Sequence, residues 1–238
     1  MTIYPDYQAL SRATAECIAN YLREKPASLV CLASGHTPLG TLACLVEMVK
    51  AKELTLDACT FVGLDEWVGM NGKDAGSCRH LMDEAFFFPL QIPESRIHFF
   101  DGRAQQLSAE VERINQVIDQ HGALDIMLVG IGTNGHIAMN EPGSSFRGKA
   151  HIGQLAEETI AVGQKYFETP TALDKGITLG LQNFADAKLP ILIANGAKKA
   201  GIIKRVLTEK PDEQCPATIV HKIEKCAVLL DAEAASLL

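Results

Sequence analysis

The amino-acid sequence predicts an α/β fold: one Rossmann-like three-layer domain over residues 1–238, with a mostly parallel sheet flanked by helices on both faces. Three observations carry that expectation. Short runs rich in Val, Ile and Leu alternate with amphipathic stretches, the pattern of strands buried on both faces by crossover helices. A chain of 238 residues, 47% hydrophobic and 21% charged, suits one sizeable core rather than a disordered or fibrous protein. No internal repeat, low-complexity tract or linker divides it.

The elements follow in order. In "MTIYPDYQALSRATAECIANYL" the residues Leu10, Thr14, Cys17, Ile18, Tyr21 and Leu22 fall on one helical face. This start lacks the basic and apolar regions of a secretory signal. "SLVCLA" (28–33) and "CTFVGL" (59–64) are the first two strands, separated by a helix whose inner face is Leu42, Leu45, Val46 and Val49. "RIHFF" (96–100) is a third strand. A second helical face, Leu107, Val111, Ile114 and Ile118, leads to "LDIMLVGI" (124–131). Residues 143–175 are the least regular part and read as a lid or hairpin. "LPILIA" (189–194), a helix with Ile202, Ile203, Val206 and Leu207 inward, and "CAVLL" (226–230) complete the pattern.

Charge and composition exclude several functions. The formal net charge is -7 with scattered basic residues, so no nucleic-acid partner is expected. No run of about 18 apolar residues occurs, so no membrane span is expected either, and a cytoplasmic location follows. The seven cysteines show neither CxxC pairs nor Cys/His ligand spacing and read as reduced, buried thiols.

Open parallel sheets bind ligands beyond the carboxyl ends of their strands, and three such ends stand out. After the first strand comes "SGHTPLGTL": Ser34 and Gly35 for a tight turn, Thr37 as N-cap and Pro38 as first helical residue. The free amides of a helix start there suit a small anion such as phosphate, although an ordinary strand-to-helix turn reads the same way. After the second strand, "GLDEW" puts Asp65 and Glu66 on opposite sides, so one faces a cleft while the other turns away. After the fourth, "GIGTNGHIAMNEPGSS" offers glycines for a tight fold and His136 five residues before Glu141. Histidine moves protons near neutrality, and a neighbouring carboxylate would fix its tautomer and raise its pKa.

"SGHTP", "LDEW" and "GIGTNGHIAMNEPGSSF", with "GQKYF", "KGITLGL" and "NGAKKA" in the same order, resemble the glucosamine-6-phosphate deaminase (isomerase) family over nearly the whole chain. A galactosamine-6-phosphate branch is similar too, in "LDEW" and in "AHIGQL" followed by "KGITLGL". The resemblance implies Asp65 as the base that moves the C2 proton to C1. It implies His136 as the ring-opening group, held by Glu141, with Glu66 and Asn140 in supporting contacts. It assigns the phosphate to Ser34, Gly35, His36, Thr37, Lys165 and Lys199, with Lys165 standing where a relative has Arg. Asn134 occupies the place of an Asp in some members and orients His136 without adding charge.

His151 and Gly153 stand where activated members carry effector-binding basic residues, and the longer C-terminal extension of those members is absent here, so no activation by N-acetylglucosamine 6-phosphate is expected. No metal or other cofactor is implied. The partner is a small sugar phosphate, and a homo-oligomer remains open. Alternatives are the same chemistry on the C4 epimer, a 6-phosphogluconolactonase, and a sugar-phosphate-sensing module without enzymatic activity.

Overall fold

The computed structural model describes residues Met1–Leu238. Seven strands form an entirely parallel sheet: β1 (Thr2–Tyr4), β2 (Leu29–Leu32), β3 (Thr60–Val62), β5 (Ile97–His98), β6 (Ile126–Val129), β9 (Leu189–Ala194) and β10 (Ala227–Asp231), in spatial order β1-β10-β9-β6-β2-β3-β5. A second sheet joins β4 (Asp65–Trp67) to β8 (Lys175–Thr178) and β8 to β7 (His151–Gln154), both antiparallel. The helices are α1 (Tyr7–Glu24), α2 (His36–Lys50), α3 (Cys78–Met82, continued by a π-helical turn to Phe87), α4 (Leu107–His121), α5 (Glu157–Gly163), α6 (Leu181–Asp186) and α7 (Ala200–Thr208).

Strand alternation divides the core in two. Val30 and Leu32, with Ile126 and Leu128, pack against Leu10, Ile18, Leu42 and Leu45 of α1 and α2. Leu29 and Cys31, with Met127 and Val129, pack against Ile114, Phe184 and Ile203 of α4, α6 and α7. Each such side chain, withdrawn from water on its own face, contributes about 1.5–3 kcal/mol. These are the three layers that the sequence predicts.

The chain runs outward from β2 through β3 to β5, then returns to place β6 on the other side of β2. The loops after β2 and β6 therefore diverge and open a crevice at their carboxyl ends, the switch point of a doubly wound sheet.

Several expected boundaries move. β1 is absent from the sequence reading because three residues on a sheet edge carry no periodicity. The strand "RIHFF" shortens to Ile97–His98, and "LDIMLVGI" to Ile126–Val129. "CTFVGLDEW" contains two strands, since the chain leaves the large sheet after Val62 and enters the small one at Asp65. Residues 143–175 hold β7 and α5 rather than a plain lid or hairpin, because β7 and β8 pair with a helix inserted between them. Among the cysteines, Cys31, Cys59, Cys78 and Cys215 are buried, whereas Cys17, Cys44 and Cys226 are half-buried. No helix is long and apolar enough to cross a membrane.

Candidate active site

A cavity of about 640 Å³ occupies the switch point, walled by the loops after β2 and β6, by β4, by α5 and its following turn, and by the start of α7. It brings together Asp65, Asn134, His136, Ser34, Gly35, His36, Thr37, Lys165 and Lys199.

The loop after β2 forms the anion-binding end. The helix N-cap is Gly35 rather than Thr37, and Pro38 stands at the third helical position. Gly35 takes φ 115°, which favours glycine, and no side chain satisfies the first amides of α2. Thr37 does not cap because the helix begins one residue before it, at His36, and its hydroxyl donates to Asn195 Oδ1 at 2.7 Å. A Cβ on Gly35 would lie 3.1 Å from the Tyr166 hydroxyl, and the Tyr166 and His36 rings stack with centroids 5.4 Å apart. Burial lowers the pKa of His36, Lys165 and Lys199, and neighbouring lysines lower each further: Lys165 acts on His36 and Lys199, Lys198 on Lys165. Lys199 also donates to the Ile131 carbonyl at 2.6 Å. Positive groups crowded at a helix start are relieved by an anion.

Asp65 and Glu66 point opposite ways, as the strand alternation predicts. Asp65 lines the cavity, and burial pushes its carboxyl up to about 6, offset in part by a hydrogen bond with the Cys78 thiol. Glu66 faces away and is wholly buried. It accepts from the backbone amides of Trp67 (2.9 Å), Cys78 (3.0 Å) and Arg79 (3.0 Å), so its work is to hold the start of α3 against β4. Burial raises Glu66 to about 7, those amides opposing it and Asp65 adding to it.

The loop after β6 folds through backbone bonds from Gly132 to the His136 carbonyl (2.9 Å) and from Gly135 to the Gly132 carbonyl (3.1 Å). Gly132 is needed there because a Cβ would come within 2.2–2.4 Å of the His136 ring. Glu141 does not hold His136 directly: its Oε2 is 3.7 Å from Nδ1. Asn134 stands between them, donating from Nδ2 to Glu141 Oε2 at 2.8 Å and presenting Oδ1 to His136 Nδ1 at 2.8 Å. The carboxylate does raise the histidine pKa, as expected, but the net shift is downward. Burial lowers it, Lys199 lowers it further, and Glu141 opposes both without overcoming them. Asn140 turns inward, donating to the Ile137 (2.9 Å) and Leu179 (2.8 Å) carbonyls, and so braces the loop.

Cys78, Thr159 and Tyr166 also line the cavity, and sequence reasoning missed them. Only Tyr166 carries a signal, through its place in "GQKYF".

A family model described as glucosamine-6-phosphate isomerases/6-phosphogluconolactonase matches residues 6–229. Glucosamine-6-phosphate deaminase 1 of Bacillus subtilis (strain 168) is 36% identical over 232 residues, 97% of this chain and 96% of that protein. The deaminase of Thermoanaerobacter sp. (strain X514) is 33% identical over 98% of this chain and 92% of its own length. A solved structure described as a monomeric glucosamine-6-phosphate deaminase superposes with TM-score 0.96 at 35% identity, covering 100% of this chain and 99% of that one. A 6-phosphogluconolactonase from Trypanosoma brucei shares the fold, with TM-score 0.74 at 22% identity, covering 100% of this chain and 97% of that one.

Proposed function

The chain belongs to the glucosamine-6-phosphate isomerase/6-phosphogluconolactonase family, and from that premise we propose that it is a hexosamine-6-phosphate deaminase acting on glucosamine 6-phosphate. The net reaction is amino-sugar phosphate plus water to ketose phosphate plus ammonium. The observation that carries this reading is the single cavity, with crowded cations and an uncapped helix start beside a buried carboxylate and a histidine. Named deaminase relatives over nearly the full chain support it.

In this reading the phosphate sits against the amides of the 34–37 loop, with Lys165 and Lys199 supplying charge. That end of the sugar is far from the reacting carbons, and its binding energy is used for orientation. His136, kept neutral by burial, takes the C1 hydroxyl proton and returns it to the ring oxygen, opening the ring. Asn134 and Glu141 orient it. Asp65 takes the C2 proton and delivers it to C1 while one proton of the ammonium group passes to O1, leaving a C2 iminium that water hydrolyses to the ketone and ammonium. A carboxylate raised to about 6 suits this step, because it is ionised at neutrality yet basic enough to take a carbon-bound proton. No metal or organic cofactor enters the scheme. A phosphorylated sugar is an intracellular metabolite, which supports a cytoplasmic location.

The C4 epimer, galactosamine 6-phosphate, is the second substrate to test. Ammonia and ketose phosphate are assayed with each sugar separately, and 6-phosphogluconolactone is offered in parallel. Release of ammonia from glucosamine 6-phosphate is expected. Lactone hydrolysis with no ammonia from either sugar would sink the proposal. In His136→Gln, turnover of the cyclic sugar is expected to fall while exchange of the C2 proton survives.

A further inference from the structure

Thr159, the third residue of α5, is buried, lines the cavity and belongs to no recognised motif. Its Oγ1 lies 3.2 Å from His136 Nδ1. The hydrogens around that nitrogen follow from the partners. Asn134 turns its amide nitrogen to Glu141 Oε2, so its Oδ1 must face the histidine. That oxygen already accepts the His136 backbone N–H at 3.0 Å and stands 2.8 Å from Nδ1. An amide oxygen has no hydrogen to give, so Nδ1 carries the proton. The Thr159 hydroxyl is then a second acceptor of the same Nδ1–H, in a three-centre bond.

We infer that Thr159 is a positioning residue: from α5 it shares the Nδ1–H of His136 with Asn134, and so fixes the ring and leaves Nε2 as the nitrogen that exchanges protons. The inference rests on the proposed role of His136 in ring opening. The charged groups bearing on the ring are Glu141 on its own loop and Lys199 at the start of α7. From α5 and the turn after it, Glu158 and Lys165 line the same cavity, as does Asp65 from β4. Thr159 adds no charge to this set. It adds a direction, and it ties the histidine to the helix that covers the cavity.

Two variants test it. Thr159→Val keeps the shape and removes the hydroxyl, while Thr159→Ser keeps the hydroxyl and removes a methyl. With glucosamine 6-phosphate, Thr159→Val is expected to lose about tenfold in kcat with KM little changed, the kinetic equivalent of one ordinary hydrogen bond. Thr159→Ser is expected to recover most of it. Imidazole 15N shifts of His136 should report the Nδ1–H tautomer in the parent enzyme and in both variants, with the Nδ1 resonance displaced in Thr159→Val, where one of the two acceptors of that proton is lost. Parent-like kcat and Nδ1 shift in Thr159→Val would overturn the inference. So would an equal loss in both variants, which would assign the effect to the methyl. Full activity in His136→Gln would instead remove the histidine from the mechanism, and the Nδ1 shift would still decide the placement of Thr159.

Discussion

Asp65 and Asp125 are both buried aspartates, one beyond the carboxyl end of the parallel sheet and one at its amino end. Burial raises Asp65 to about 6, and the Cys78 thiol opposes this only in part. Burial acts on Asp125 in the same direction, yet its pKa is lowered, because its partners outweigh burial. It accepts from the Leu29 amide at 2.9 Å and the Tyr21 hydroxyl at 3.2 Å, and its Oδ2 lies 2.6 Å from His121 Nε2. One end of the sheet satisfies its carboxylate and gains stability. The other leaves its carboxylate with the Cys78 thiol and a raised pKa.

The largest expected effect breaks the comparison at Asp65. Asp65→Asn should lower the rate of ammonia release by about 10³-fold and abolish C2 proton exchange in deuterated water. Its melting temperature should not fall, since an uncompensated buried charge is removed. An active Asp65→Asn would remove this residue from the role of base.

The next effect separates the two carboxylates by pH. The proposed base acts ionised, so kcat/KM should fall roughly tenfold per pH unit below about 6, where the Asp65 carboxyl takes up its proton. The sign for Asp125 is opposite in stability terms. Its folded pKa is depressed, so its contribution is full above the unfolded value of about 4 and is lost as pH falls through the folded value. Circular dichroism should therefore show an intact fold at pH 5 while activity has largely gone. Coincident loss of both would show that acid unfolding limits the rate.

Asp125→Asn probes the amino end. Loss of its charge-assisted hydrogen bonds should cost about 2 kcal/mol in urea unfolding, with kcat per folded molecule unchanged. The smallest change, Tyr21→Phe, removes one of those bonds and should cost about 1 kcal/mol by the same measurement. A lower kcat in either variant would mean that the two ends of the sheet are coupled.

Much of this contrast is visible in the sequence at the site and little of it at the opposite end. Asp65, His136 and the 34–37 loop follow apolar strands directly, so chain order alone brings them to one edge of the sheet. The division of labour between Asp65 and Glu66 follows from strand alternation. Tyr21, His121 and Asp125 have no such signal, because Tyr21 reaches across 104 residues of chain to Asp125. The break between Val62 and Asp65 is hidden for another reason. Both flanking segments are short and largely buried, and only pairing with β8 reveals a second sheet. Thr159 escapes notice because a single hydroxyl on a short helix has no pattern until the fold brings His136 beside it.

That second sheet has a mechanical consequence. β4 carries Asp65, and the β7–α5–β8 excursion carries Thr159, Lys165 and Tyr166, all on one small antiparallel unit. The 34–37 loop, His136 and Lys199 grow from the large parallel one. The cavity thus lies between two separate sheets, and each supplies a lysine and a titratable side chain: Lys165 and Asp65 from the small one, Lys199 and His136 from the large one. A slight slide of one sheet past the other would change the spacing between Asp65 and His136 without replacing either side chain.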